Sequence, residues 1–90
     1  DVQRKEALFV SLLVHPAIKS VHHAGLMIAV AFADFAQNKR IIDALLAEGV
    51  FTDWFLFAAH CLRIAPPLNI PDADIEAACA ALIRVLNRLT

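Results

Sequence analysis

Arg63 stands in Cys-Leu-Arg-Ile-Ala-Pro-Pro-Leu, residues 61–68, an otherwise apolar stretch that reads as a buried or half-buried strand. A guanidinium in such a place needs an anionic partner, because an uncompensated buried charge is very costly. Its planar fork is suited to gripping a carboxylate through two parallel hydrogen bonds. Two partners are open on composition alone: an acid of the same protein, giving a structural ion pair, or the carboxylate of a ligand. The other chemistry-bearing side chains form no familiar constellation. Of the four histidines, His15, His22, His23 and His60, the adjacent pair points to opposite faces if it lies on a strand. Their spacing to each other and to the cysteines carries no zinc signature. Cys61 and Cys79 are too few for a disulfide framework, so they read as free thiols of a reducing cytosol. Cys79 in particular falls on an apolar helical stripe, where inert packing is expected. Trp54 among Phe51, Phe55 and Phe57 reads as core or interface. There is no C-x-x-C, H-E-x-x-H or G-x-S-x-G, and the two glycines, Gly25 and Gly49, are too far apart for a phosphate-binding loop.

The elements that must position Arg63 follow from the patterning. Residues 2–14 read as a helix that Asp1 can cap, with Leu8, Leu12 and Leu13 on one face; His15-Pro16 ends it. Residues 18–23 read as a short strand. Ala24-Gly25 turns the backbone, and the run Leu-Met-Ile-Ala-Val-Ala-Phe-Ala at 26–33 reads as a buried central strand. Residues 34–48 read as a helix with Ile41, Ile42, Leu45 and Leu46 as its stripe, and Gly49 occupies the left-handed position after it. Residues 50–57 are aromatic and β-prone, residues 58–60 read as a connection, and residues 61–65 as a strand stopped by Pro66-Pro67. The last helix opens at Pro71-Asp72 with acids at its positive end. Its apolar face runs through Ile75, Cys79, Leu82, Leu86 and Leu89, and Arg84 and Arg88 lie near its C-terminus. The order α, β, β, α, β, β, α predicts an α+β two-layer sandwich, a mostly antiparallel sheet with helices on one side.

Composition narrows the function classes. Eight Lys and Arg against nine Asp and Glu leave a net charge of −1, with no basic run longer than a pair, so nothing invites nucleic acid or anionic lipid. A membrane span is not expected: the charge-free stretch from Val21 to Ala33 is short of the ~20 apolar residues required and holds two histidines. At 60% hydrophobic residues in 90, the chain is more apolar than so small a domain can bury. Either it oligomerises or it is cut from a larger protein. Asp at position 1, with Met27 as the only methionine, favours the second expectation.

Gly25-Leu-Met-Ile-Ala-Val30, a helix closing on Glu48-Gly-Val50, Leu62-Arg-Ile-Ala-Pro-Pro-Leu-Asn-Ile70 and the acidic start Asp72–Glu76 together resemble a known family. It is the C-terminal small domain of class III pyridoxal-phosphate aminotransferases, nearest the acetylornithine and ornithine branch, and the likeness runs from about Ala7 to Leu89. It implies residues 1–90 as a single domain at the C-terminal end of a larger, cytoplasmic, homodimeric enzyme. A large domain of that enzyme would carry the Schiff-base lysine and most cofactor contacts. The enzyme would pass an amino group from an amino acid to a 2-oxo acid through pyridoxal phosphate. The small domain would pack on its own large domain and help close the site. In the family, the arginine of R-x-A-P-P-L commonly binds the substrate carboxylate, which the likeness carries to Arg63. Lys5, Lys19 and Lys39 lie outside the family's lysine motif, so the likeness implies no catalytic and no cofactor-binding residue in this chain, and no activity for it alone. Where the family often has Arg-Gly before Gly-Leu-Met, this chain has His22-His23-Ala24. The other class of reading is a stand-alone ferredoxin-like module for regulation, ligand binding or oligomerisation, since residues 26–89 approximate a split β-α-β unit.

Overall fold

The computed structural model describes the backbone of residues 1–49, 53–55 and 58–89, and the side chains of 1–49 and 60–89. Along the chain run α1 (Val2–Leu12), β1 (Ser20–Ala24), β2 (Met27–Ala31), α2 (Phe35–Ala47), β3 (Asp53–Phe55), β4 (Ala58–Ile64) and α3 (Asp72–Leu89). The strands form one four-stranded sheet in the order β1-β2-β4-β3, and each neighbouring pair is antiparallel. The expected α+β class and element order are both found.

Local chemistry accounts for most of the boundaries. α1 stops at Leu12, earlier than the expected 14, and Leu13 N–H still reaches back to the Phe9 carbonyl at 3.0 Å. Asp1 occupies the N-cap position, yet its carboxylate takes the Arg4 Nε–H at 3.0 Å instead of a helix amide. α2 is better capped. Asp34 Oδ1 accepts from Gln37 N–H at 2.8 Å, while Gln37 Oε1 accepts from Ala33 N–H at 3.0 Å. This reciprocal arrangement is a capping box moved one residue outward. Gly49 closes α2 with φ +83°, a left-handed geometry that favours glycine.

One face of the sheet carries the core. Ile28 and Val30 of β2 and Leu62 of β4 are fully buried in one cluster. The helices supply Phe9, Ile41, Leu45, Ile75, Leu82, Val85 and Leu86. The stripe expected for α1 is displaced: Phe9 is its deepest residue, Leu13 is buried, and Leu8 and Leu12 are only partly so. On α2, Leu46 is 57% exposed, and on α3 Leu89 is 37% exposed, so each expected face is one residue too wide. α2 packs on β4 and α3, and α1 packs on α3.

Two strand expectations need correction. Residues 58–60 are not a connection but the first part of β4, because Ala58 pairs with Phe55 across a bulged hairpin. Of the β-prone 50–57 segment, the described part is the three-residue β3; the remainder and the aromatic side chains lie outside the described residues. The topology also contains a split β-α-β unit. β2 and β3 flank β4, each antiparallel to it, so they are parallel to one another and joined through α2.

Candidate functional site

Strand register places Arg63. On β4, Leu62 faces the core and is fully buried, so the flanking Cys61 and Arg63 project from the opposite face. Arg63 pairs with Ala29 of β2 on one side and with Asp53 of β3 on the other. Ala29 pairs in turn with His22 of β1. A row His22, Ala29, Arg63 therefore crosses the face of the sheet turned away from the helices. The sequence predicts a buried or half-buried strand at this position. The strand is indeed half-buried, but the Arg63 side chain is exposed, because the period of two puts residue 63 outside whenever 62 and 64 face the helices. The high cost of an unpaired buried charge is therefore not what explains this arginine.

The backbone under Arg63 is fixed from several directions. Asn38, on α2 and fully buried, donates its Nδ2–H to the Cys61 carbonyl at 2.9 Å. Phe32 N–H donates to the His60 carbonyl at 3.0 Å, extending the β2–β4 pairing. Beyond the strand, Lys5 is only 8% exposed and its ammonium donates to the Leu68 carbonyl at 3.2 Å, with Asp1 Oδ2 3.7 Å away. A lysine lying along apolar surface with its head on a carbonyl satisfies both halves of its chemistry. It ties α1 to the Pro66-Pro67-Leu68 loop. Asn38 and Lys5 were not singled out from the sequence. Asn38 sits one turn along α2 from its Asp34 cap, within an apolar stripe, and a polar residue at such a position is the signal that marks it.

The histidines are dispersed. His15 Nδ1 accepts from Ala17 N–H at 3.0 Å, which leaves Nε2 as the protonated nitrogen donating to Asn87 Oδ1 at 2.8 Å. His23 Nδ1 meets Glu6 of α1, whereas His22 Nε2 lies 3.2 Å from Ser20 Oγ on the same strand face, so the pair does part to opposite faces. His60 is exposed on β4. Among the described residues, no group of three or more His, Cys, Asp or Glu could hold a metal ion. Both thiols are free and buried, and burial pushes each pKa up, that of Cys79 to about 11. The remaining charges tie helices together. Arg4 grips Asp72 through two hydrogen bonds of 2.7 and 3.1 Å, which hold the Asp72 carboxyl below its ordinary range. Glu48 at the end of α2 takes Arg84 at 2.8 Å and Arg88 at 3.4 Å, and the Arg84 hydrogen bond lowers its pKa.

The chain as a whole has counterparts among known proteins. Acetylornithine aminotransferase of Haemophilus ducreyi is 34% identical over 90 residues, 99% of this chain and 22% of that protein. The acetylornithine aminotransferase of Lactiplantibacillus plantarum is 31% identical over 75 residues, 83% of this chain and 19% of that protein. In three dimensions, the lysine aminotransferase of M. tuberculosis superimposes with a TM-score of 0.86 at 29% identity, over 99% of this chain and 21% of its own. By sequence and by fold, this is an aminotransferase-type domain. The likeness to class III aminotransferases read from the sequence is therefore found independently in the comparisons. No family model matches the chain. The chain spans about a fifth of the length of the relatives it matches.

Aminotransferase chemistry implies pyridoxal phosphate, which needs a reactive lysine and a cradle for its phosphate. The lysines of this aminotransferase-type domain are placed otherwise. Lys5 is committed to Leu68, Lys39 to Asp43 at 2.8 Å, and Lys19 sits exposed just before β1. The two glycines occupy separate turns. The described residues do not supply the reactive lysine and phosphate cradle that the cofactor needs. Among the described residues, no helix is long and apolar enough to cross a membrane.

Proposed function

We propose that residues 1–90 form the C-terminal small domain of a larger aminotransferase and that Arg63 binds the carboxylate of its substrate. The whole enzyme would transfer an amino group from an amino acid of the ornithine or acetylornithine type to a 2-oxo acid through pyridoxal phosphate. It would work as a cytoplasmic homodimer, with the cofactor held by its large domain. The observation carrying this reading is the exposure of Arg63 on the helix-free face of the sheet, on a strand whose other face is locked into the core. An arginine so placed can present its fork to a carboxylate arriving from an adjoining domain, and two parallel hydrogen bonds fix the orientation of the ligand. Orientation matters because the amine must be held over the reacting carbon, and small misplacements cost rate. Met27, 48% exposed on the same face, offers apolar surface for the contact between the two domains.

The test compares Arg63→Lys with the unaltered enzyme on N-acetylornithine and on its decarboxylated counterpart N-acetylputrescine. Lysine keeps the charge and loses the planar fork. The loss of charge-assisted bonds predicts a fall of about 10–150-fold in kcat/KM for the amino acid. The amine should change less than threefold. Equal losses on both substrates, with a lowered melting temperature, would make Arg63 a structural residue.

A further inference from the structure

We infer that His22 supplies a second hydrogen-bond donor to the carboxylate that Arg63 grips, across the methyl floor of Ala29. This inference rests on the assignment of Arg63 made above. The register supplies the geometry. His22, Ala29 and Arg63 are successive partners on β1, β2 and β4, so their side chains rise from one face in a straight row. Directly opposed Cβ atoms lie about 5 Å apart, so the imidazole and the guanidinium start roughly 10 Å apart with only a methyl between them. Ala29 is just 8% exposed although it lies on the face without helices, as expected for a small side chain in a trough between two long ones. His22 and Arg63 are both exposed, and a depression of about 180 Å³ on the Met27 side of His22 is lined by His22, His23, Ala24, Met27 and Ala29, leaving Ala29 reachable from His22.

The spacing suits one carboxylate. Two charge-assisted bonds of ~2.8 Å with the anion between them join donors roughly 7–8 Å apart. Side chains rooted 10 Å apart reach that separation by leaning inward. A larger residue at 29 would fill the gap. Ser20, two residues before His22 on the same face, orients the ring: its Oγ lies 3.2 Å from Nε2. When the Ser20 hydroxyl donates to Nε2, the ring proton stays on Nδ1, which is the atom left to donate to the anion. His23 cannot replace it, since its Nδ1 is turned to Glu6 on the other side of the strand. No lysine or arginine other than Arg63 lies in the row.

The experiment uses the intact enzyme and the unreactive carboxylate 2-acetamidopentanoate, which is N-acetylornithine without its reacting terminal amine. Calorimetric Kd values are measured for the unaltered protein, His22→Ala, His22→Gln, Arg63→Lys and the double variant His22→Ala with Arg63→Lys. Losing one hydrogen bond to a charged group predicts a rise of about tenfold in Kd for His22→Ala. His22→Gln, which keeps a side-chain N–H donor, should stay within about threefold of the unaltered protein. The double variant should lose less than the product of the single effects, because both donors serve one anion. Turnover of N-acetylputrescine should be unchanged in both His22 variants. Unchanged binding by His22→Ala, equal losses for Ala and Gln, or strictly multiplicative effects would each overturn the inference. If Arg63→Lys also binds the probe normally, the assignment of Arg63 fails with it; if Arg63→Lys alone is impaired, only the role of His22 falls.

Discussion

Asn38→Ala tests whether the underside of β4 is held as described. Asn38 is fully buried, and its Nδ2–H meets the Cys61 carbonyl at 2.9 Å, two residues before Arg63. The alanine variant deprives a buried carbonyl of that donor, a loss of ~1–3 kcal/mol when no water replaces it. The missing amide also leaves a void of roughly 30 Å³, which at about 24 cal/mol per Å³ adds about 0.7 kcal/mol. The expected destabilisation is thus about 2–4 kcal/mol, well beyond the ~0.5 kcal/mol typical of surface changes. Urea unfolding measures it as a lower midpoint at constant slope. A companion variant sharpens the test. Asn38→Asp presents an ionised acceptor to another acceptor in a dry site, so at neutral pH it should cost more than alanine. A cost below 0.5 kcal/mol for Asn38→Ala, or an aspartate tolerated better than alanine, would refute the claim that this amide pins the strand.

Asp72 gives a pH test. Its hydrogen bond to Arg4 holds its folded-state pKa below the ordinary 3.8, so the pair stabilises the fold above that value and the contribution fades as pH falls below it. The difference in urea midpoint between Asp72→Asn and the unaltered protein should be present at pH 7, shrink at acid pH, and shrink with added salt because both groups are exposed. A difference that grows on acidification would contradict this. The thiols give a chemical test: with Cys79 pushed to about 11 and Cys61 also raised, a thiol reagent at pH 8 should leave both unmodified in the native protein. Both should react once guanidinium opens the fold, and fast native labelling of Cys79 would place it outside the core.

Much of this architecture was legible because the apolar pattern and the punctuation agree. The run 26–33 had to be central, since a continuous apolar strand needs cover, and Ile28, Val30 and Phe32 are buried as that requires. Gly49 after the second helix and Pro66-Pro67 after the last strand mark real stops. The hairpin β3–β4 was not legible in detail. Ala58-Ala59-His60 has weak strand propensity, and pairing with β3 across a bulge, together with the Phe32 N–H on the His60 carbonyl, makes it part of the sheet. Polar residues doing structural work were the other gap. Nothing in the type of Lys5 or Asn38 announces burial, since each is buried only because a specific carbonyl 63 or 23 residues away receives it. The direction of Arg63 could have been read from alternation once Leu62 was assigned to the core, but the apolar neighbours on both sides suggested burial instead.

The sheet order bears on the carboxylate role proposed for Arg63, by comparison with a residue on an edge or loop. β4 is inserted between the two arms of the split β-α-β unit, so it is hydrogen-bonded on both sides. Asn38 holds it from the helix layer, and the loop that follows is tied to α1 by Lys5. The Cα of Arg63 therefore has little freedom left, so the carboxylate binding proposed for it would require no backbone of β4 to be ordered. Immobilising one such side chain costs about 0.5–1.5 kcal/mol, less than the ~1.5–3 kcal/mol a hydrogen bond to a charged group returns. On a mobile loop the backbone would have to be fixed as well, at ~1–2 kcal/mol per residue, and one or two such residues would cancel the gain. Residues remote from the proposed ligand, among them Asn38 and Lys5, would thus favour carboxylate binding by removing entropy that the complex would otherwise have to lose.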